Sequence, residues 1–130
     1  MKFESGIRAE FHEVLATDLV MEPLTYLDCS ATADTIVSSN QASGGGHASS
    51  GGTGSGGDGS EARGSLFEPE DLGAQGGAHG GQAGGMGGNK IKITIGNVFY
   101  MDGTLNADGG AGSNLAGGGS GGSIWINAGA

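Results

Sequence analysis

"KIKITIGNVFYMDGTLNADGG", Lys90 to Gly110, is the stretch whose reading decides the fold. Ile91, Ile93 and Ile95 alternate with Lys92 and Thr94, so the β-branched isoleucines share one face and polar side chains take the other, as in a half-buried strand. Gly96-Asn97 interrupts the pattern. It resumes with Phe99 and Met101 on one face and Val98 and Tyr100 on the other. Asp102-Gly103 is a strong turn dipeptide, because Asp tolerates and Gly prefers positive φ. "TLNAD" follows, with Leu105 and Ala107 inward and Thr104 and Asn106 outward. The reading is a single rung, in which Ile91, Ile93, Ile95, Phe99, Met101, Leu105 and Ala107 face a narrow core and the two interrupting pairs turn its corners.

The same order of signals recurs on either side. "EVLATDLVMEPLTYLDCSA", residues 13–31, runs strand, polar corner at Asp18, strand, turn at Glu22-Pro23, strand. At an offset of 79 it pairs Asp18 with Asn97, Leu19 with Val98, Val20 with Phe99 and Met21 with Tyr100. "SIWINAGA", residues 123–130, lies over residues 90–97 at an offset of 33, with Ile124 and Ile126 on one face and Trp125 on the other. Unequal offsets with the same strand content predict one repeated rung, with glycine-rich insertions of variable length between rungs.

Composition divides the chain into β rungs at 1–43, a glycine-rich loop or insertion at 44–88, and further β rungs at 89–130 with a second glycine-rich loop at 109–122. Glycine supplies 31 of 130 residues, 19 of them in 44–88, where the only large apolar side chains are Leu66, Phe67, Leu72 and Met86. That block cannot bury enough apolar surface to offset about 1 to 2 kcal/mol of backbone entropy per residue, so the core is expected from the flanks. The competing reading is two small β-elements joined by a disordered Gly/Ser linker. "RGSLFEPEDLG", residues 63–73, is the patterned island inside the block, where Leu66, Phe67 and Leu72 with Pro69 fit an apolar latch over the solenoid edge. A short helix competes at the start, where Ile7, Phe11, Val14 and Leu15 have helical spacing.

The net charge of −9, with Lys2, Arg8, Arg63, Lys90 and Lys92 scattered, argues against nucleic acid and suits a solvated acidic surface. No run approaches the roughly 18 apolar residues that span a bilayer, so no membrane insertion is expected. The first twenty residues are broken by charges and lack the apolar run of a secretory signal.

No residue is assigned to catalysis, to a cofactor or to a metal. Cys29 has no histidine placed beside it by any local pattern. Gly52, Gly54 and Gly57 satisfy G-x-G-x-x-G without a preceding strand or a following helix, so nucleotide binding is not expected. Asp58, Asp102 and Asp108 suit turn corners better than calcium, and "GGTGSGGDG" departs from the calcium-binding nonapeptide. His47 and His79 sit in similar glycine frames with no further ligand at metal spacing. Asp28 and Asp102 fall at analogous turns and are the carboxylate pair that a polysaccharide-acting β-helix enzyme would need. Trp125 faces outward by parity.

"NVFYMDGTLNADGGAGSNLAGGGSGGSIWINAG", residues 97–129, with "YLDCSA" and "RGSLFEPEDLGAQGG" as weaker echoes, resembles the glycine-rich parallel β-helix segments of very large surface proteins. These include autotransporter passengers, filamentous haemagglutinin-like adhesins and related giant extracellular proteins. The resemblance implies an all-β, right-handed parallel β-solenoid with a non-catalytic structural or adhesive role, an extracellular or cell-surface location and no catalytic residues to carry over. With rungs of about 20 to 25 residues, three or four turns are expected, open at both ends. The chain is therefore expected to be part of a longer protein or a subunit that associates end to end, with its surface or glycan ligand unidentified. Ice binding is the alternative, and it would need a threonine ladder or a strict G-x-x period. Thr94 and Thr104 make no ladder, and no steady triplet is read in the tracts.

Overall fold

The computed structural model describes residues 1–9, 12–32 and 41–129. Within them the alternating stretches form β1 (Lys2–Phe3), β2 (Ile7–Arg8), β3 (His12–Ala16), β4 (Leu19–Met21), β5 (Tyr26–Asp28), β6 (Lys90–Ile95), β7 (Phe99–Met101), β8 (Thr104–Asn106) and β9 (Ser123–Ala128). They pair in parallel as three sheets ordered β1-β4-β7, β2-β5-β8 and β3-β6-β9. Each rung gives one strand to each sheet, so the chain is a short parallel β-solenoid and not a closed barrel. Strands from both flanks share every sheet, which excludes two separate β-elements joined by a linker. No helix forms among the described residues: Ile7, Val14 and Leu15 lie on strands, while Phe11 falls outside the described residues.

Registers repeat the sequence alignment in part. Lys90 lies beside Ser123 and Ile93 beside Ile126, the expected offset of 33. His12 lies beside Ile91, an offset of 79, and Asn97 Nδ2 donates to Asp18 Oδ1 at 3.0 Å. Beyond that corner the expected pairs are wrong by one: Leu19 lies beside Phe99, Val20 beside Tyr100 and Met21 beside Met101. The corner after β6 holds Gly96, Asn97 and Val98, whereas the one after β3 holds only Thr17 and Asp18. The Val98 carbonyl absorbs the extra residue by accepting from Leu19 N at 2.8 Å. A one-residue slip would otherwise have turned Phe99 and Met101 outward.

Inward columns run along the solenoid axis. Phe3, Met21 and Met101 form one, Ile7, Leu27 and Leu105 another, and Val14, Ile93 and Ile126 a third. In the middle rung Leu19, Met21, Leu27, Ile91 and Ile93 are all 0% exposed, because a rung covers them on each side. Burial of each is worth about 1.5–3 kcal/mol.

The glycine tracts are inserted on either side of the β6-β7-β8 turn, between the repeats aligned by sequence, as expected. The longer one leaves after β5 and the shorter after β8, the same corner of adjacent rungs, so the two meet. The root of the longer is closed by Asn89 N donating to the Cys29 carbonyl at 2.9 Å. Beyond it, bonds recur at every third residue. Gly73, Gly76 and His79 donate to the carbonyls of Gly88, Gly85 and Gln82; Gly117 and Ser120 donate to Gly77 and Ala74; Gly119 and Gly122 donate to Gly110 and Ala107. A ladder in β-structure repeats every second residue, whereas polyproline II has three residues per turn and no internal hydrogen bonds. The tracts are therefore a bundle of polyproline-II segments bonded to one another. Exposure keeps the same period, with Ala83 and Met86 outward and Gly84, Gly85, Gly87 and Gly88 buried. The triplet that could not be read along the tracts is present across them.

Candidate binding face

The outward positions of sheet β2-β5-β8 follow from the alternation that turns Ile7, Leu27 and Leu105 inward, with Leu27 fully buried in the middle rung. Arg8, Asp28 and Asn106 are paired across the three strands, and Tyr26 is paired with Thr104 one step earlier. Tyr26, Asp28, Thr104 and Asn106 line an open depression of about 290 Å³. Gly6 lies against the Tyr26 ring. A Cβ on Gly6 would fall 1.9, 2.1 and 2.2 Å from three consecutive carbons of the Tyr26 ring, and such near-equal distances mean that the ring lies across the glycine. Tyr26 as a residue is 44% exposed, so the side of the ring away from Gly6 is open.

The polar groups beside the ring are held in place. Ser30 N donates to Asp28 Oδ1 at 2.9 Å, and Arg8 Nε stands 3.7 Å from Asp28 Oδ2. The Ser30 hydrogen bonds hold the Asp28 carboxyl below its ordinary range, with Arg8 adding a smaller attraction. Asp108 N donates to Asn106 Oδ1 at 2.9 Å, which orients the amide and leaves its Nδ2 as the outward donor. Thr104 Oγ1 and Tyr26 Oη make no hydrogen bond within the described residues.

Comparison with family models, curated proteins and solved structures finds no match to this chain. The face is therefore read from its own chemistry.

The other sequence candidates are dispersed. Asp28 aligns with Asn106, while Asp102 sits in the turn after β7, so the carboxylate pair is not assembled on one column. His47 and His79 do not meet: His47 Nε2 lies 3.1 Å from Ser123 Oγ at the base of the bundle, and His79 is bonded through its backbone to Gln82 at a far turn. Among the described residues no group of three or more His, Cys, Asp and Glu is placed to hold a metal ion. Thr53 Oγ1 donates to Asp58 Oδ1 at 3.3 Å, and the Asp108 backbone N donates to Asn106 Oδ1 at the corner after β8. Cys29 is fully buried, and burial followed by the Asp28 charge pushes its thiol up to about 11, so it stays protonated at neutral pH.

Trp125 is not free; Lys92 Nζ lies 4.4 Å from its ring centroid. The apolar latch does not form, since Leu66 and Phe67 are 84% and 91% exposed. Polar contacts tie the island down instead: Glu70 pairs with Lys92, and Ser123 Oγ donates to the Asp71 carbonyl at 2.6 Å. That commitment of the Ser123 proton, with 2% exposure, makes the His47–Ser123 contact structural. Sequence reasoning misses the Tyr26 face because β1 and β2 are only two residues long and too short to show where Gly6 and Arg8 fall within the rungs of 1–43. The available signal was the shared parity of Tyr26 and Asp28 in "YLDCSA" and Thr104 and Asn106 in "TLNAD".

Proposed function

We propose that this chain is a non-catalytic structural or adhesive module of a surface protein, built to stack end to end with a further rung. The carrying observation is the last rung. Met101, Ile124 and Ile126 continue the columns of Met21, Ile91 and Ile93, which are 0% exposed, yet they are themselves 43%, 41% and 40% exposed. The free edges of β7, β8 and β9 beside them carry unpaired backbone donors and acceptors, so a rung added in register would pair backbone and cover apolar surface together. A second copy presenting β1, β2 and β3 supplies such a rung, and the contact is head to tail, so it propagates. The likeness of residues 97–129 to glycine-rich β-helices of surface proteins supports the extracellular placement.

Sedimentation velocity over a concentration series tests the stacking. The expected outcome is mass growing with concentration, abolished in Ile126→Lys with the dichroism spectrum kept. A chain that remains monomeric to millimolar concentration overturns it.

Ice binding is a second reading favoured by one observation, the three-residue period of bonding and exposure in the glycine bundle. A thermal hysteresis measurement decides it, and a freezing point equal to the melting point removes it.

A further inference from the structure

We propose that the outward face of β2-β5-β8 is a subsite for one pyranose unit of a neutral glycan, with Tyr26 as its platform. The adhesive reading above gains a ligand class from it, but the site does not depend on stacking.

The platform is built rather than incidental. The Tyr26 ring is seated on a backbone that carries no side chain, and any residue larger than glycine at position 6 would displace it, since the Cβ would fall 1.9 Å from Cε1. A ring seated in this way presents one flat apolar surface to the outside, which suits the C–H face of a sugar ring. Beside it stand an acceptor, Asp28 Oδ2, a donor, Asn106 Nδ2, and two hydroxyls that both donate and accept, Thr104 Oγ1 and Tyr26 Oη. Vicinal sugar hydroxyls need this mixture, because each donates and accepts at once.

Dimensions agree. Adjacent parallel strands lie about 4.8 Å apart and alternate residues on one strand about 6.6 Å apart, so the four side chains frame a rectangle the size of a single sugar ring. The volume of about 290 Å³ lies at the lower edge of small-molecule sites, near about 300 Å³, and suits one ring rather than an extended ligand. Charge narrows the class further. Asp28 is held as a carboxylate and the chain carries −9, which disfavours phosphorylated, sulfated and uronic-acid ligands. Arg8 is engaged with Asp28 and with the Ser30 carbonyl at 3.4 Å, so it is not a free anion receptor. A shallow subsite of this kind binds at about 1 mM, roughly 4 kcal/mol, and gains strength when a polymer or repeated copies engage several at once.

The test is amide and side-chain NMR of the full chain titrated with linear tetrasaccharides of glucose, mannose, galactose and N-acetylglucosamine, each to 20 times the expected dissociation constant of about 1 mM. At least one should give saturable shifts at the Gly6 amide, the Tyr26 ring and the Asn106 Nδ2 protons. Tyr26→Ala should weaken that binding at least tenfold, and Gly6→Ala should do the same by moving the ring, while Tyr26→Phe should retain most of it. Absence of saturable shifts with all four sugars overturns the proposal, as do shifts that persist unchanged in both Tyr26→Ala and Gly6→Ala. Sedimentation of the same variants separates the two readings: stacking that survives in Tyr26→Ala leaves the module reading intact whichever way the titration falls.

Discussion

Gly88 and Gly52 illustrate what glycine does here. A Cβ on Gly88 would sit 1.8 Å from the Ala107 carbonyl oxygen, whereas one on Gly52 meets nothing within 4 Å. Gly88→Ala is therefore expected to destabilise the protein by about 3 kcal/mol or more and Gly52→Ala by less than about 0.5 kcal/mol, read from urea unfolding midpoints. Columns make a similar contrast. Ile93→Asp places an unpaired charge at a fully buried position and should abolish the far-UV strand signal, whereas Ile126→Asp, one rung outward on the same column, should leave it in place. At Asp28 the folded carboxyl is held below its ordinary value near 3.8, so its contribution is full above that pH. It is lost as pH falls through the lower folded value. The stability advantage over Asp28→Asn should thus be constant at pH 5 to 7 and shrink below about pH 4, measured by urea unfolding at each pH.

Among the elements, strands and polyproline-II segments obey different rules. A strand of Ile and Thr declares its faces by a period of two, and burial of one face fixes which way it turns. A polyproline-II segment has no internal bonds and is ordered only by its neighbours. Segment 82–88 donates from Gln82, Gly85 and Gly88 to three different partners, His79, Gly117 and Ser120. Hydrogen exchange should show that rhythm, with those amides protected and Ala83 and Met86 exchanging fast. Uniformly fast exchange across 73–89 would contradict the bundle. The latch island fits the same picture, because Ser65 Oγ accepts from Phe67 N and Glu68 N and shapes a turn that leaves both apolar tips in solvent. Its tether, the Glu70–Lys92 pair, is open to solvent and contributes little to stability.

For the whole molecule, the bundle and the solenoid share a base. Cys29 N donates to the Asn106 carbonyl, Asn89 N to the Cys29 carbonyl and Gly122 N to the Ala107 carbonyl, so neither part closes without the other. The loss of Trp125 fluorescence change and of Gly76 and Gly85 amide protection should therefore occur at one urea concentration, as in two-state unfolding. Separate transitions would show that the bundle unfolds alone.

The rung was legible from residues 90 to 110 alone, because alternation and turn dipeptides are local: Ile91, Ile93, Phe99 and Ala107 lie in or against the core, and Met101 continues the column of Met21. The Asp18 corner was legible too, since Asp18 and Asn97 are paired by side chains that suit a bend. The register beyond it was not, because the corner after β6 is one residue longer than that after β3 and the turn before β8 is two residues shorter than that before β5, so the offset runs 79, 80 and 78 along the rung. The candidate face needed three strands, with Gly6 and Tyr26 separated by a rung that short strands β1 and β2 barely announce. The sequence by itself determined strand faces and the glycine that permits close backbone approach, because both depend on side chains already present in the chain. Only the tertiary structure decided that the two glycine tracts leave from the same corner and bond in triplets, because segments without internal hydrogen bonds take their order from whatever lies beside them.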